Sequence, residues 1–490
     1  MMHQKLLELL RHFSESELNR LDKFIFSPFF NESERLTVLY SYLRQFAPNF
    51  PETEDLAARI FKHLFPDQDF DQALLNKLNS QLYKLVENFL AHQQLEADDF
   101  AKDLHLLHFY NESMLSKHFA GTLKRLEKSL HQSPGRNLDY FHKLLELNTI
   151  RAEFMARTDK RTGDINLQEL NDALDIYFML AKLMFLNSML TRQKIAKVEY
   201  DLTWMQEILD YLEDSDYREI PAIDMYREIL LLQLHPNEQK HYIRLKDLLN
   251  EYDYLFPDHE LRDFFIYLEN SVKHIFPVED YFRELFDLYQ MQLASGILYE
   301  NGHLPHTVFK NAVSAALILQ EFAWAKDFIE HNWQKVIPEA YRSDAYYQNL
   351  ASLHFFAGDY DKAQELLLES NPVDIYYKLS QKILLAEIYF EKRELEVLEN
   401  FLNTFTKFIF DQQAKIAPSK VASYRQFVNL FKKMLRILTN DAPSLEAFEN
   451  KAIQSNSSTI KALKKLHKEI SKTPLFYSKK WLLSKIEEQF

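Results

Sequence analysis

Six glycines are spread over 490 residues. A sheet protein needs glycine-bearing turns at short intervals, and so few glycines cannot supply them. Leu, Phe and Tyr instead recur at three- and four-residue spacing over long stretches, the period of a helix with one buried face. The fold class that follows is all-α. At this length a single compact core is excluded, which leaves several domains or an extended array of helices.

The most informative stretch is DAYYQNLASLHFFAGDYDKAQELLLESNP, Asp344 to Pro372. Tyr347, Leu350, Ala351, His354 and Phe355 share one helical face. Gly358 is free to take the left-handed conformation that ends a helix, and Asp359 is placed to cap the next one. Ala363, Leu366 and Leu367 line that second helix, where small Ala351 and Ala363 let the two axes approach. Pro372 closes the unit.

This helix–turn–helix resembles a unit of the tetratricopeptide-repeat (TPR) proteins. Their signature W-x2-L-G-x2-Y…A-x3-F…P is met by Tyr347-x2-Leu350-Ala351-x2-His354…Ala363-x3-Leu367…Pro372. A second copy, Phe309-x2-Ala312-Val313-x2-Ala316…Ala325-x3-Ile329, stands 38 residues earlier. A third, Lys382-x2-Leu385-Ala386-x2-Tyr389…Leu398-x3-Leu402, stands 35 later, and Pro305, Pro338 and Pro372 are 33 and 34 apart. Units of this size cannot bury their apolar faces alone and must stack. Over its whole length the chain also resembles a group of uncharacterised bacterial all-helical proteins of about 500 residues. Lys23-Phe24…Ser27-Pro28-Phe29-Phe30-Asn31 and Phe309-Lys310-Asn311 carry that likeness, which implies architecture and no activity.

The resulting expectation is a helical N-terminal domain (1–132), a divergent helical-hairpin array (138–300), TPR-like repeats forming an α-α superhelix or solenoid (301–411) and a basic C-terminal helical cap (412–490). Ser14 with Glu17, and Asn31 with Glu34, read as helix starts. Thr53 caps another helix, and Leu74, Leu75, Leu78, Leu82, Leu85 and Phe89 mark a long one. Ser133-Pro134-Gly135 is the first boundary. Helices at about 167–190 and 192–213 read as a hairpin, with Leu180, Leu183 and Met184 facing Val198, Leu202 and Met205. Leu64-Phe65-Pro66, Leu255-Phe256-Pro257 and Ile275-Phe276-Pro277 are three uses of one corner, an aromatic at a helix end followed by proline.

Chemistry is scarce. There is no cysteine, so thiolate nucleophiles, thiolate metal sites and disulfides are excluded. No glycine pair can cradle a phosphate, and no serine is flanked by the glycines of a nucleophile elbow. Asp159 to Glu169 looks superficially like a calcium loop but puts Arg161 and Gly163 where oxygen ligands belong. His105 and His108 lack a third ligand at recognisable spacing, and Asp98, Asp99 and Asp103 suit a helix start. Neither an enzyme nor a cofactor, metal or small-molecule site is expected. No apolar run approaches the roughly 18 residues of a membrane span, and the Leu-rich N-terminus is broken by Glu8 and Arg11, which reads as cytoplasmic.

The TPR resemblance implies a peptide groove lined by the first helices of successive units. The matching positions are Lys310, Asn311, Ser314 and Leu317, then Gln348, Asn349, Ser352 and Phe355, then Ile383, Leu384, Glu387 and Phe390. An asparagine amide offers a donor and an acceptor together, which suits gripping a peptide backbone. The implied function is a non-catalytic protein- or peptide-binding scaffold. A second reading comes from charge. Net charge is −14, yet residues 412–490 hold 15 Lys and Arg against 6 Asp and Glu. There Lys461, Lys464, Lys465 and Lys468 oppose Ile460, Leu463, Leu466 and Ile470 on one helix. Such a helix can cap the repeats with its lysines in water, or bind nucleic acid through them.

Overall fold

The computed structural model describes residues 4–52, 55–158, 163–196, 198–439, 457–474 and 476–489. It is an all-α fold, 79% helix, with 23 α-helices among the described residues. The chain divides into two compact units, Met1–Phe178 and Met179–Phe490.

The first unit holds α1 (Gln4–Arg11), α2 (Glu15–Ile25), α3 (Glu34–Arg44), α4 (Leu56–Leu64), α5 (Gln72–Ala97), α6 (Asp99–Glu112), α7 (Ser116–Gln132) and α8 (Leu138–Thr158). Ser14 and Glu17 form the expected reciprocal cap: the Glu17 amide donates to Ser14 Oγ, and the Ser14 amide to the Glu17 carboxylate at 2.7 Å. Leu18, Leu21, Phe24 and Ile25 then point into a core shared with Leu75, Leu78, Leu82, Leu85 and Phe89 of α5. Asn31 is not the cap of α3. Ser33 takes that place, while the Asn31 amide bridges Ile25 O and Thr37 Oγ1 at 2.9 and 3.1 Å. Thr53 and Asp159–Thr162 lie outside the described residues. His105 and His108 are exposed, Asp98 caps α6, and Asp103 forks onto Arg125 at 2.5 and 2.6 Å. No group of three metal-ligating side chains occurs among the described residues.

Helix α9 (Leu167–Ala196) corrects two expectations. It runs unbroken through the point where a hairpin turn was placed, and residues 198–203 are not helical. Val198 is exposed, whereas Leu180 and Leu183 are buried, so they do not face each other as a hairpin would require. Among the described helices it is also long and apolar enough to cross a membrane, with mean hydropathy 1.4 and a third of that window buried.

In the second unit follow α10 (Met205–Glu213), a 3-10 turn at Asp216–Glu219, α11 (Pro221–Leu234), α12 (Gln239–Tyr252), α13 (Asp258–Ile275) and α14 (Val278–Ala294). Pro257 and Pro277 stand at the N-caps of α13 and α14, as the corner motif requires. Three helical hairpins come next: α15 (His306–Ile318) with α16 (Phe322–Asn332), α17 (Arg342–Phe356) with α18 (Tyr360–Glu369), and α19 (Ile375–Glu391) with α20 (Leu395–Gln412). The first helices pack in series, α15 on α17 and α17 on α19.

Each hairpin turns through one left-handed residue: Gln320 at φ 62°, Gly358 at φ 82° and Arg393 at φ 61°. The bonding is the same in all three. Gly358 N donates to Phe355 O and Asp359 N to His354 O, as Gln320 and Glu321 do to Leu317 and Ala316, and Arg393 and Glu394 to Phe390 and Tyr389. These paired bonds satisfy carbonyls that a helix end leaves open. Two short strands were not expected. β1 (Leu304–Pro305) and β2 (Val336–Ile337), each leading toward a first helix, pair in parallel. In the third unit the Asp344 carboxylate replaces that pairing and accepts from the amides of Val373 and Asp374.

The chain ends with α21 (Pro418–Thr439), α22 (Ser457–Lys472) and α23 (Lys479–Glu487). Leu463, Leu466 and Ile470 of α22, with Leu482 and Ile486 of α23, join one apolar core with α17 to α21. Burying each such side chain stabilises by roughly 1.5–3 kcal/mol.

Candidate functional site

The surface of interest lies where α15, α17, α19 and α21 begin. Asp374 caps α19, accepting from Tyr376 N and Tyr377 N at 2.8 and 3.1 Å. Lys310, one turn into α15, reaches past α17 so that its Nζ stands 3.4 Å from Ser380 Oγ on α19. His306, four residues before it, sets Nδ1 3.3 Å from the Tyr377 hydroxyl and packs its ring against Tyr341 and Tyr377. Lys420 at the start of α21 lies over the Tyr376 ring, 4.4 Å from its centroid.

Electrostatics single out Lys310. The residue is half-buried overall, with its ammonium end in crowded surroundings. Burial, then the like charge of Lys420, holds its pKa below the ordinary lysine value, and Asp374 pulls the other way. One weak hydroxyl contact is poor compensation for a desolvated cation.

The expected groove is brought together only in part. Lys310 and Ser314 are half-buried and Asn311 is exposed, all on α15. Helix α17 differs because α15, α16, α18 and α19 all pack on it. Gln348 and Asn349 are consequently buried, and the Asn349 amide is spent on the carbonyl of Ala345 at 2.7 Å. Ser352 returns its hydroxyl to Gln348 O at 2.8 Å. Phe355 is buried against Phe356 and Tyr360. Asn311, Asn349 and Phe355 thus do not form one open surface. In the third unit Ile383, Leu384 and Glu387 are buried as well.

Sequence reasoning passed over His306, Tyr377, Ser380 and Lys420. A signal existed: Lys310 and Ser380 are 70 residues apart and His306 and Tyr377 are 71 apart, two repeat lengths each. At the C-terminus the helix reads as expected. Lys461, Lys464, Lys465 and Lys468 are exposed opposite buried Leu463, Leu466 and Ile470. No family model, curated protein or solved structure matches the chain.

Proposed function

We propose that this chain is a non-catalytic, TPR-like scaffold of the cytoplasm that binds an acidic protein segment along the first-helix surface of α15, α19 and α21. Support for the superhelical reading comes from the shared left-handed turns at Gln320, Gly358 and Arg393 and from the serial packing of first helices. The helices after α20 close its apolar end. The observation that carries the binding role is Lys310, a desolvated cation beside Ser380 that also feels the like charge of Lys420. A peptide carboxylate there gains charge-assisted hydrogen bonds and removes repulsion between the two lysines.

The test is a fluorescence-polarisation screen of acidic peptides against the full chain, repeated with Lys310→Met. Binding that is lost in a folded K310M protein is the expected result. Peptides that bind K310M as tightly as the parent refute the site.

A second reading, nucleic-acid association, is favoured by the exposed lysines of α22. Phosphate binding of that kind falls steeply with added salt. Filter retention of duplex or single-stranded nucleic acid that disappears when Lys461, Lys464, Lys465 and Lys468 become Gln would select it over the peptide reading.

A further inference from the structure

Helix α9 turns an apolar seam to solvent. Leu167, Leu174, Phe178, Ala181, Phe185 and Ile195, with Asn171, Ser188 and Arg192 among them, follow one another at alternating four- and three-residue steps. That spacing is the seam of a helix that pairs with another along its length. The five large apolar members are 41–71% exposed, and only a third of the helix's most apolar window is buried. Leu180, Leu183, Leu186 and Asn187, which lie away from the seam, are buried and hold α9 in place. A contiguous exposed apolar stripe of this kind marks an association surface.

The charges of α9 decide its occupant. The first half, Leu167 to Ala181, carries Glu169, Asp172 and Asp175 and no cation; the second half, Lys182 to Ala196, carries Lys182, Arg192 and Lys194 and no carboxylate. A second α9 laid parallel sets like charges side by side, whereas one laid antiparallel sets each half against its opposite. Side-chain sizes agree with the antiparallel arrangement. About a two-fold axis level with Leu183, Phe185 falls opposite Ala181 of the second copy and Phe178 opposite Ser188, so a ring meets a small side chain in each central layer. The same register brings Arg192 to the level of Leu174 and Asp175 of the second copy. Lys182 meets its own copy near the axis, where its half-buried stem can lead the ammonium out to water.

We propose that α9 is a self-association surface, through which two copies of this chain pair antiparallel along the seam to form a two-fold dimer. Such an interface buries one patch against itself, and a helix with oppositely charged halves meets that requirement alone. The seam shares no residue with Lys310 and its neighbours, so the dimer and the peptide surface stand or fall separately.

Sedimentation equilibrium of the full chain at micromolar concentrations tests the pairing. The expected result is a dimer, which Phe185→Asp, at an exposed position, should weaken by roughly a hundredfold with no loss of helix content. Orientation is read with a short bismaleimide, since the chain has no cysteine of its own. Lys182→Cys, beside the axis, should crosslink to its own copy. Ile195→Cys, about 36 Å from its counterpart in this register, should not. An F185D protein that dimerises as tightly as the parent, or an I195C protein that crosslinks as readily as K182C, would overturn the proposal. So would a monomeric parent, and one that floats with phosphatidylcholine vesicles would give the seam to a lipid surface instead.

Discussion

The indole Nε1 of Trp481 donates to Glu391 Oε1 at 3.0 Å, across 90 residues of chain. It fastens α23 to α19, with Lys485 on the same oxygen at 2.9 Å and the indole ring against Phe390 and Phe431. Trp481→Phe keeps the ring packing and removes the donor. Urea unfolding of this variant should show a loss of about 1 kcal/mol.

Glu387 supplies a pH dependence. Burial raises its carboxyl to about 8, the Ser478 hydroxyl opposes the rise and the Glu391 charge adds to it. The folded state therefore holds this proton more tightly than the unfolded chain does. Its stabilising contribution is complete below about pH 4.5 and is lost as pH climbs through about 8. Glu387→Gln should flatten that decline, gaining on the order of 2–4 kcal/mol at pH 9 and little at pH 4.5. Equal pH slopes for parent and variant would contradict this.

Lys310 has the opposite sign. A lysine whose folded pKa is depressed costs stability while charged, and the cost is relieved as pH rises toward its ordinary value. Lys310→Met should raise neutral-pH stability by about 1 kcal/mol, in the same variant that should lose the proposed peptide binding. A melting-temperature fall in K310M would count against the desolvated cation.

The three hairpin turns make a reciprocal pair of tests. Gly358 has φ 82° with open space where a Cβ would go, so Gly358→Ala pays for backbone conformation alone. The cost should be roughly 1–2 kcal/mol. Gln320→Gly at φ 62° should return somewhat less than 1 kcal/mol. Thermal denaturation of the two single variants distinguishes the directions.

Asn311 and Asn349 hold equivalent repeat positions yet should respond differently. Asn311→Ala, on an exposed position, should stay within about 0.5 kcal/mol of the parent. Asn349→Ala removes a buried amide and its bond to Ala345, at a cost of roughly 1–2 kcal/mol. Equal effects in chemical denaturation would show that the two sites share one environment after all.

What the sequence by itself determined was local. Ser14 with Glu17, Gly358 with Asp359, and Pro257 and Pro277 at helix starts act within a few residues, where backbone dihedrals and caps dominate. The apolar face of α22 was legible for the same reason, since a 3.6-residue period needs only a solvent and a core to sort it. Tertiary structure decided the rest. Asn311 and Asn349 read alike in sequence, but α17 is enclosed by four helices and Asn349 cannot reach solvent. Asp224, Arg227 and Glu228 at i, i+3 and i+4 look like a solvated helical stripe, and burial beneath His241 and Arg244 turns them into a cluster of buried ion pairs instead. Lys310 meets Ser380 only because the hairpins that begin with α15, α17 and α19 pack in series. Spacing along a helix names which side chains share a face, and only the neighbouring helices decide whether that face meets water, apolar core or opposite charge.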